Sequence, residues 1–153
     1  MTDSSLVTPA DGPSSVRILL VDVHSISRES SRLLLDTISG FEVVGETSEH
    51  QEALQLVQQL QPEVVIISMR VQGSTGPDTA REVLRLRPAT HVVFWTLFDD
   101  QEHVRSALAA GAQAYVLKQD PAEELEIAIA HARRGAIYLS PSLKHIKKSQ
   151  GAI

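Results

Sequence analysis

Val64-Val65-Ile66-Ile67-Ser68 decides the fold. Four consecutive β-branched apolar residues are too few for a stable helix, and they show no polar alternation. Such a run suits a strand covered on both faces, as in a parallel sheet between layers of helices. Three more runs repeat the pattern, each closed by a polar residue. Ile18-Leu19-Leu20-Val21 ends in Asp22, Val92-Val93-Phe94-Trp95 in Thr96, and Ala114-Tyr115-Val116-Leu117 in Lys118. If all four are parallel strands of one sheet, Asp22, Ser68, Thr96 and Lys118 meet at one edge.

The intervening segments carry helical periodicity. The spacing predicts helices from Ser27 to Ile38, from Glu49 to Leu60, from Pro77 to before Pro88, from Asp99 to Gly111, and from Asp120 to Gly135. Ser48 with Gln51, Asp99 with Glu102, and Asp120-Pro121-Ala122-Glu123 have the form of capping boxes. Ala53, Leu56, Val57 and Leu60 make one apolar stripe, and Leu125, Ala128, Ile129 and Ala132 another. Strands are expected at Val16–Asp22, Phe41–Glu46, Glu63–Ser68, His91–Thr96 and Ala114–Leu117; the partly polar Phe41–Glu46 suits a sheet edge. Strict alternation of strand and helix predicts an α/β fold with a five-stranded parallel sheet and helices on both faces. A flavodoxin-like strand order, 2-1-3-4-5, puts the first and third strands side by side at the point where ligands bind in such sheets.

Composition narrows the function. The 153 residues suit one domain, and the net charge of −5 disfavours broad nonspecific nucleic-acid binding. There is no cysteine, which excludes disulfides, thiolate metal sites and a cysteine nucleophile. Residues 1–15, rich in Ser, Pro, Gly and Asp, read as a disordered lead-in. The stretch 16–135 holds 17 acids and 11 bases, and 136–153 reads as a linker-like basic tail with Lys144, His145, Lys147 and Lys148. No signal peptide or membrane span is evident, so a cytoplasmic location and no membrane partner are expected.

Further residues carry a resemblance. They are Leu19-Leu20-Val21-Asp22-Val23-His24, Phe41-Glu42-Val43-Val44-Gly45-Glu46, Gln61-Pro62-Glu63 leading into Val64–Ser68, Ala110-Gly111-Ala112, Tyr115-Val116-Leu117-Lys118 and Gly135-Ala136-Ile137-Tyr138-Leu139-Ser140-Pro141. In this order and spacing the chain resembles response-regulator receiver domains (CheY-like), especially those of LuxR-type (NarL/FixJ group) regulators. The resemblance implies two-component phosphorelay signalling and a site made of two adjacent acids, a phosphate-accepting aspartate, a hydroxyl residue and a lysine. Asp22 keeps the first acid, while Val23 stands at the second. Ser68 stands at the phosphoacceptor position. Thr96 and Lys118 keep the hydroxyl and the lysine, and Tyr115 matches the aromatic switch residue.

Those departures predict a change of chemistry. Mg²⁺ prefers carboxylate oxygens and gives up its waters reluctantly, so Asp22 alone beside Lys118 should bind it weakly or not at all. A serine hydroxyl needs an adjacent base to act as a nucleophile, and a lysine-paired Asp22 is a poor one. No cofactor and no enzymatic activity are therefore expected.

Plainer roles stand beside these. Ser68 could be an ordinary strand-end residue or a substrate of a serine kinase. Tyr115 could simply pack, with its hydroxyl in water. Asp99 and Asp100 read better as helix caps than as a metal pair. The leading expectation is an aspartate-less pseudo-receiver that works by protein–protein contact, as a homodimer or docked on another signalling protein. Its contact face would include Arg105, Ala109, Ile127, His131 and Arg134, and Leu35 and Ile38 exceed what one inward stripe needs. One alternative is the receiver half of a truncated LuxR-type transcription regulator without specific DNA binding of its own. Another is a small-molecule or flavin sensor, for which Ser25, Ser27, Ser30 and Ser31 would line the first turn, although that turn lacks a glycine.

Overall fold

The computed structural model describes residues 15–143. The expected lead-in lies almost wholly outside them, and so do the basic residues of the tail. Strand β1 (Val16–Val21) leads to α1 (Ser25–Asp36), β2 (Phe41–Thr47), α2 (His50–Leu60) and β3 (Val64–Ile67). Two short strands follow, β4 (Arg70–Val71) and β5 (Ser74–Thr75), then α3 (Gly76–Leu86) and β6 (His91–Thr96). The chain continues through α4 (Gln101–Ala109), β7 (Ala114–Leu117), α5 (Glu123–Arg133), β8 (Tyr138–Leu139) and a 3-10 turn at Pro141–Leu143.

The main sheet is parallel throughout, in the order β2-β1-β3-β6-β7-β8. The five expected strands take the expected order, with the polar β2 at one edge. The sheet has six strands rather than five, because β8 pairs with β7 through Ala114–Tyr138 and Tyr115–Leu139. The Ser140 hydroxyl also accepts the Leu117 N–H at 2.9 Å, and Leu143 is fully buried. The fold therefore runs past Gly135, and the start of the expected tail is part of it. Two paired residues are too short a run for sequence periodicity to reveal.

Strand pleating divides the core as period-two alternation requires. Leu19, Val21, Val65, Ile67, Phe94, Tyr115 and Leu117 pack on the α2–α3–α4 side. Ile18, Leu20, Val64, Ile66, Val93, Trp95 and Val116 pack on the α1–α5 side. Leu125, Ala128, Ile129 and Ala132 form the buried stripe of α5, as predicted. Leu35 is a correction: it is fully buried, and the exposed apolar residues of α1 are Ile26, Leu33 and Leu34.

Three caps fall one or more residues later than predicted. Glu49, not Ser48, caps α2 by accepting the Gln51 and Glu52 N–H groups. The Ser48 carbonyl instead accepts the Gln72 N–H at 2.8 Å. Asp100, not Asp99, caps α4 by accepting the His103 N–H at 3.2 Å. Asp120 does not cap α5: it accepts the Ser142 hydroxyl at 2.8 Å, and the helix opens through i→i+3 bonds at Pro121 and Ala122.

Gly76 fixes how α3 meets the sheet. A Cβ there would lie 2.2 Å from the Ser68 carbonyl oxygen and 2.9 Å from the Phe94 ring. Only glycine allows the helix to start against the end of β3.

Leu143→Ala should cost about 2–4 kcal/mol, and Ile137→Ser, at an exposed position, under about 0.5 kcal/mol. Urea unfolding midpoints check this. Equal effects would mean that residues after 135 are not part of the folded unit.

Candidate functional site

Register alone assembles the strand-end residues. Val21 pairs with Ile67, so Asp22 and Ser68 emerge next to each other beyond β1 and β3. Thr96 ends β6 opposite Leu117, so Lys118 emerges beside it. All four line a cleft of about 400 Å³. Val23 is half-buried and does not line it.

At the floor of the cleft lies a closed polar cluster. The Lys118 Nζ donates to Asp22 Oδ2 at 3.1 Å and to the Ser27 hydroxyl at 2.6 Å. Ser27 in turn donates to Asp22 Oδ2 at 2.8 Å, and the His24 N–H donates to Asp22 Oδ1 at 3.1 Å. The Asp22 side chain is only 5% exposed and that of Lys118 19%, which makes this a shielded pair rather than a surface one. The Lys118 ammonium also lies 5.3 Å from the Trp95 ring centroid, within cation–π range. Burial pushes the Asp22 carboxyl up. The His24 and Ser27 hydrogen bonds and the Lys118 charge outweigh it and hold the carboxyl below its ordinary value of 3.8.

The two hydroxyls face the cleft differently. Ser68 Oγ donates to the Arg70 carbonyl at 2.9 Å. Thr96 is buried, and its Oγ1 accepts the Phe98 N–H at 3.3 Å. Among the residues lining the cleft, Asp22 is the single carboxylate.

Beneath the rim, Tyr115 is fully buried and stacked on Phe94 at 6.0 Å. Its hydroxyl is not in water: it donates to the Phe98 carbonyl at 2.7 Å. Burial pushes this phenol well above its ordinary value, with Asp100 and Asp99 adding to the effect. The Phe98 ring stacks on His103 at 4.4 Å, and the Arg70 guanidinium sits 5.7 Å from its centroid. Two loops, β3–β4 and β6–α4, are thus joined at the cleft mouth.

Sequence reasoning missed the roles of Ser27, Arg70 and Phe98. Ser27 lies in a run of four serines that gives no reason to prefer it. Arg70 reaches the cleft through the β4–β5 hairpin, whose sole sequence signal is Gln72-Gly73, with Gly73 at φ +86°. Away from the cleft, Arg105, Ala109, Ile127 and Arg134 are exposed on or beside α4 and α5. His131 is half-buried against Tyr138, and its ring nitrogen donates to the Ile127 carbonyl at 2.9 Å.

Comparison with known proteins agrees with this geometry. The sequence model of the response regulator receiver domain matches residues 18–130. The chain belongs to the response regulator receiver family.

This receiver is similar to LuxR-type regulators in particular. The oxygen regulatory protein NreC of Staphylococcus carnosus is 30% identical over 129 residues, which span 84% of this chain and 59% of that protein. The transcriptional regulatory protein DegU of Brevibacillus brevis is 27% identical over 130 residues, covering 85% and 55%. A crystal structure of a LuxR-family two-component response regulator from Aurantimonas sp. SI85-9A1 superposes with a TM-score of 0.83 at 28% identity, covering 92% of this chain and 100% of that one. The receiver spans little more than half the length of such curated relatives. Among the described residues no helix is long and apolar enough to cross a membrane.

The Asp22 carboxyl is held low, so its contribution to stability is complete above about pH 4 and is lost as pH falls through its folded-state pKa. Asp22→Asn should therefore destabilise the receiver near pH 7, with the difference from the parent shrinking as pH falls below about 4. Urea midpoints across that range check it; a difference that does not change with pH would contradict the ion pair.

Proposed function

We propose that this receiver is aspartate-less and signals by protein contact, without accepting a phosphoryl group from a histidine kinase. One observation carries the reading: the cleft's single carboxylate, Asp22, is already engaged by Lys118, Ser27 and the His24 N–H. The donor set does not fit Mg²⁺. That ion takes oxygen ligands in near-octahedral geometry and is usually held by carboxylates together with phosphate oxygens. Val23 offers no side-chain oxygen, Ser68 offers a neutral hydroxyl, and both oxygens of Asp22 have donors. Phosphoryl transfer depends on cations to offset charge on the transferring group.

The acceptor chemistry points the same way. A serine nucleophile needs a base within reach. Asp22 is held below its ordinary value, which makes it a weak base, and the Ser68 hydroxyl is turned to the Arg70 carbonyl. The family's switch residue, Tyr115, is tied to the backbone at Phe98, which favours one fixed shape at the cleft mouth.

The face we assign to the partner runs over α4, β7 and α5. Ile127 is 41% exposed there, near the acidic first turn of α5 and Arg134. An exposed apolar residue inside a charged rim suits a modest interface. A second copy or another signalling protein would serve as the partner.

A second reading has its own support. The chain covers 51% to 60% of relatives that are transcription regulators, so it would be the receiver half of such a regulator, with its DNA binding elsewhere. The flavin alternative loses ground, since Ser27 is committed to Lys118 and Asp22, and Ser31 is buried.

Incubation with acetyl phosphate and MgCl₂ followed by intact mass spectrometry should give no adduct on the parent chain. The Val23→Asp/Ser68→Asp variant should gain one phosphoryl group. An adduct on the parent would overturn the proposal. Separately, Ile127→Glu should lower the associated mass in light scattering or the recovery of a partner in a pull-down. Both unchanged would remove the α4–β7–α5 face from the account.

A further inference from the structure

The cleft is larger than its polar floor requires. Its volume of about 400 Å³ falls within the range of small-molecule pockets, ~300–1,000 Å³. Apolar groups form one wall: Met69 is buried, Phe98 is half-buried, and Leu97 stands 67% exposed at the rim. Leu97 thus offers an apolar surface at the cleft mouth that β6 does not use.

The polar wall has unused donors. Lys118 has three ammonium protons, and Asp22 and Ser27 take two. Thr96 Oγ1 accepts from Phe98 N–H, which leaves its own proton to donate. Arg70 is in no ion pair among the described residues, and the Phe98 ring holds its guanidinium in place. Asp22 and Lys118 cancel each other, and the guanidinium of Arg70 remains as a positive charge with no carboxylate partner in the cleft.

We propose that the cleft binds a small organic monocarboxylate with an aromatic or branched apolar body. The carboxylate would accept from Arg70, from the third Lys118 proton and from the Thr96 hydroxyl. The body would cover Leu97, Met69 and the edge of Phe98. A monoanion matches that one charge. An inorganic phosphate would leave the apolar wall in water and carry more charge than Arg70 balances. The inference goes beyond the docking reading. A ligand here would bridge the β3–β4 and β6–α4 loops, so its binding would set their spacing.

The test uses the full ¹⁵N-labelled chain, with benzoate and phenylacetate as probes and benzamide and inorganic phosphate as controls. Ligands of this size should bind with a dissociation constant of about 1–10 mM. Both carboxylates should give saturable shifts at the amides of Ser68–Arg70, Thr96–Phe98 and Lys118, and benzamide should not. Arg70→Gln, at an exposed position, should weaken phenylacetate at least about tenfold. Leu97→Ser should weaken phenylacetate without changing the melting temperature. The inference is overturned if benzamide matches benzoate, if phosphate alone shifts these amides, or if neither carboxylate saturates below about 20 mM.

Discussion

The Lys118–Asp22 pair joins the two ends of the fold. The residues are 96 positions apart in sequence, yet their side chains meet at 3.1 Å. That contact exists only because β1 and β7 are both parallel members of one sheet, with β3 and β6 between them. The long lysine side chain spans the intervening strand ends, and Trp95 at the end of β6 supplies an aromatic surface for it to cross. Ser27, near the start of α1, takes the remaining lone pair of the carboxylate oxygen and a second lysine proton. The cluster is electrically balanced with no outside ion.

In the proposed reading, balance of this kind alters what a receiver cleft can do. Several carboxylates crowded at one strand edge repel each other, and a cation relieves that repulsion. Here a valine and a serine stand where two acids are implied by the family resemblance, so there is little repulsion to relieve. The same logic extends to the loops. Ser68 holds the Arg70 backbone, Arg70 covers Phe98, and Phe98 is held by the Tyr115 hydroxyl at its carbonyl and by stacking on His103. These contacts tie the β3–β4 and β6–α4 loops together at the cleft mouth. In the proposed reading the module presents one shape to its partner.

Much of this was legible in the sequence. Four consecutive apolar residues closed by a polar one identify each central strand, and their order fixes which polar groups meet. The α/β class, the strand order and the gathering of Asp22, Ser68, Thr96 and Lys118 follow from that. What could not be read depends on geometry finer than periodicity. Residues Tyr138–Leu139 are too few to show a strand pattern, and their place comes from pairing with β7. Asp99 and Asp100 are chemically equal as caps, and only the path of the β6–α4 loop selects Asp100. Ser27 differs from its neighbouring serines only by facing the carboxylate. Leu35 reads as surplus on a linear stripe, yet it turns fully into the α1–α5 side of the core.

The central claim is that both oxygens of the Asp22 carboxylate are engaged, by Lys118, Ser27 and the His24 amide, and that this engagement closes it to a divalent ion. The most direct measurement is an NMR titration with MgCl₂ that follows the Asp22 side-chain carboxyl carbon and the Lys118 ammonium nitrogen. Both signals should stay unmoved up to about 10 mM Mg²⁺. A saturable displacement of the Asp22 carboxyl at micromolar to low-millimolar metal, with Lys118 released alongside it, would contradict the account.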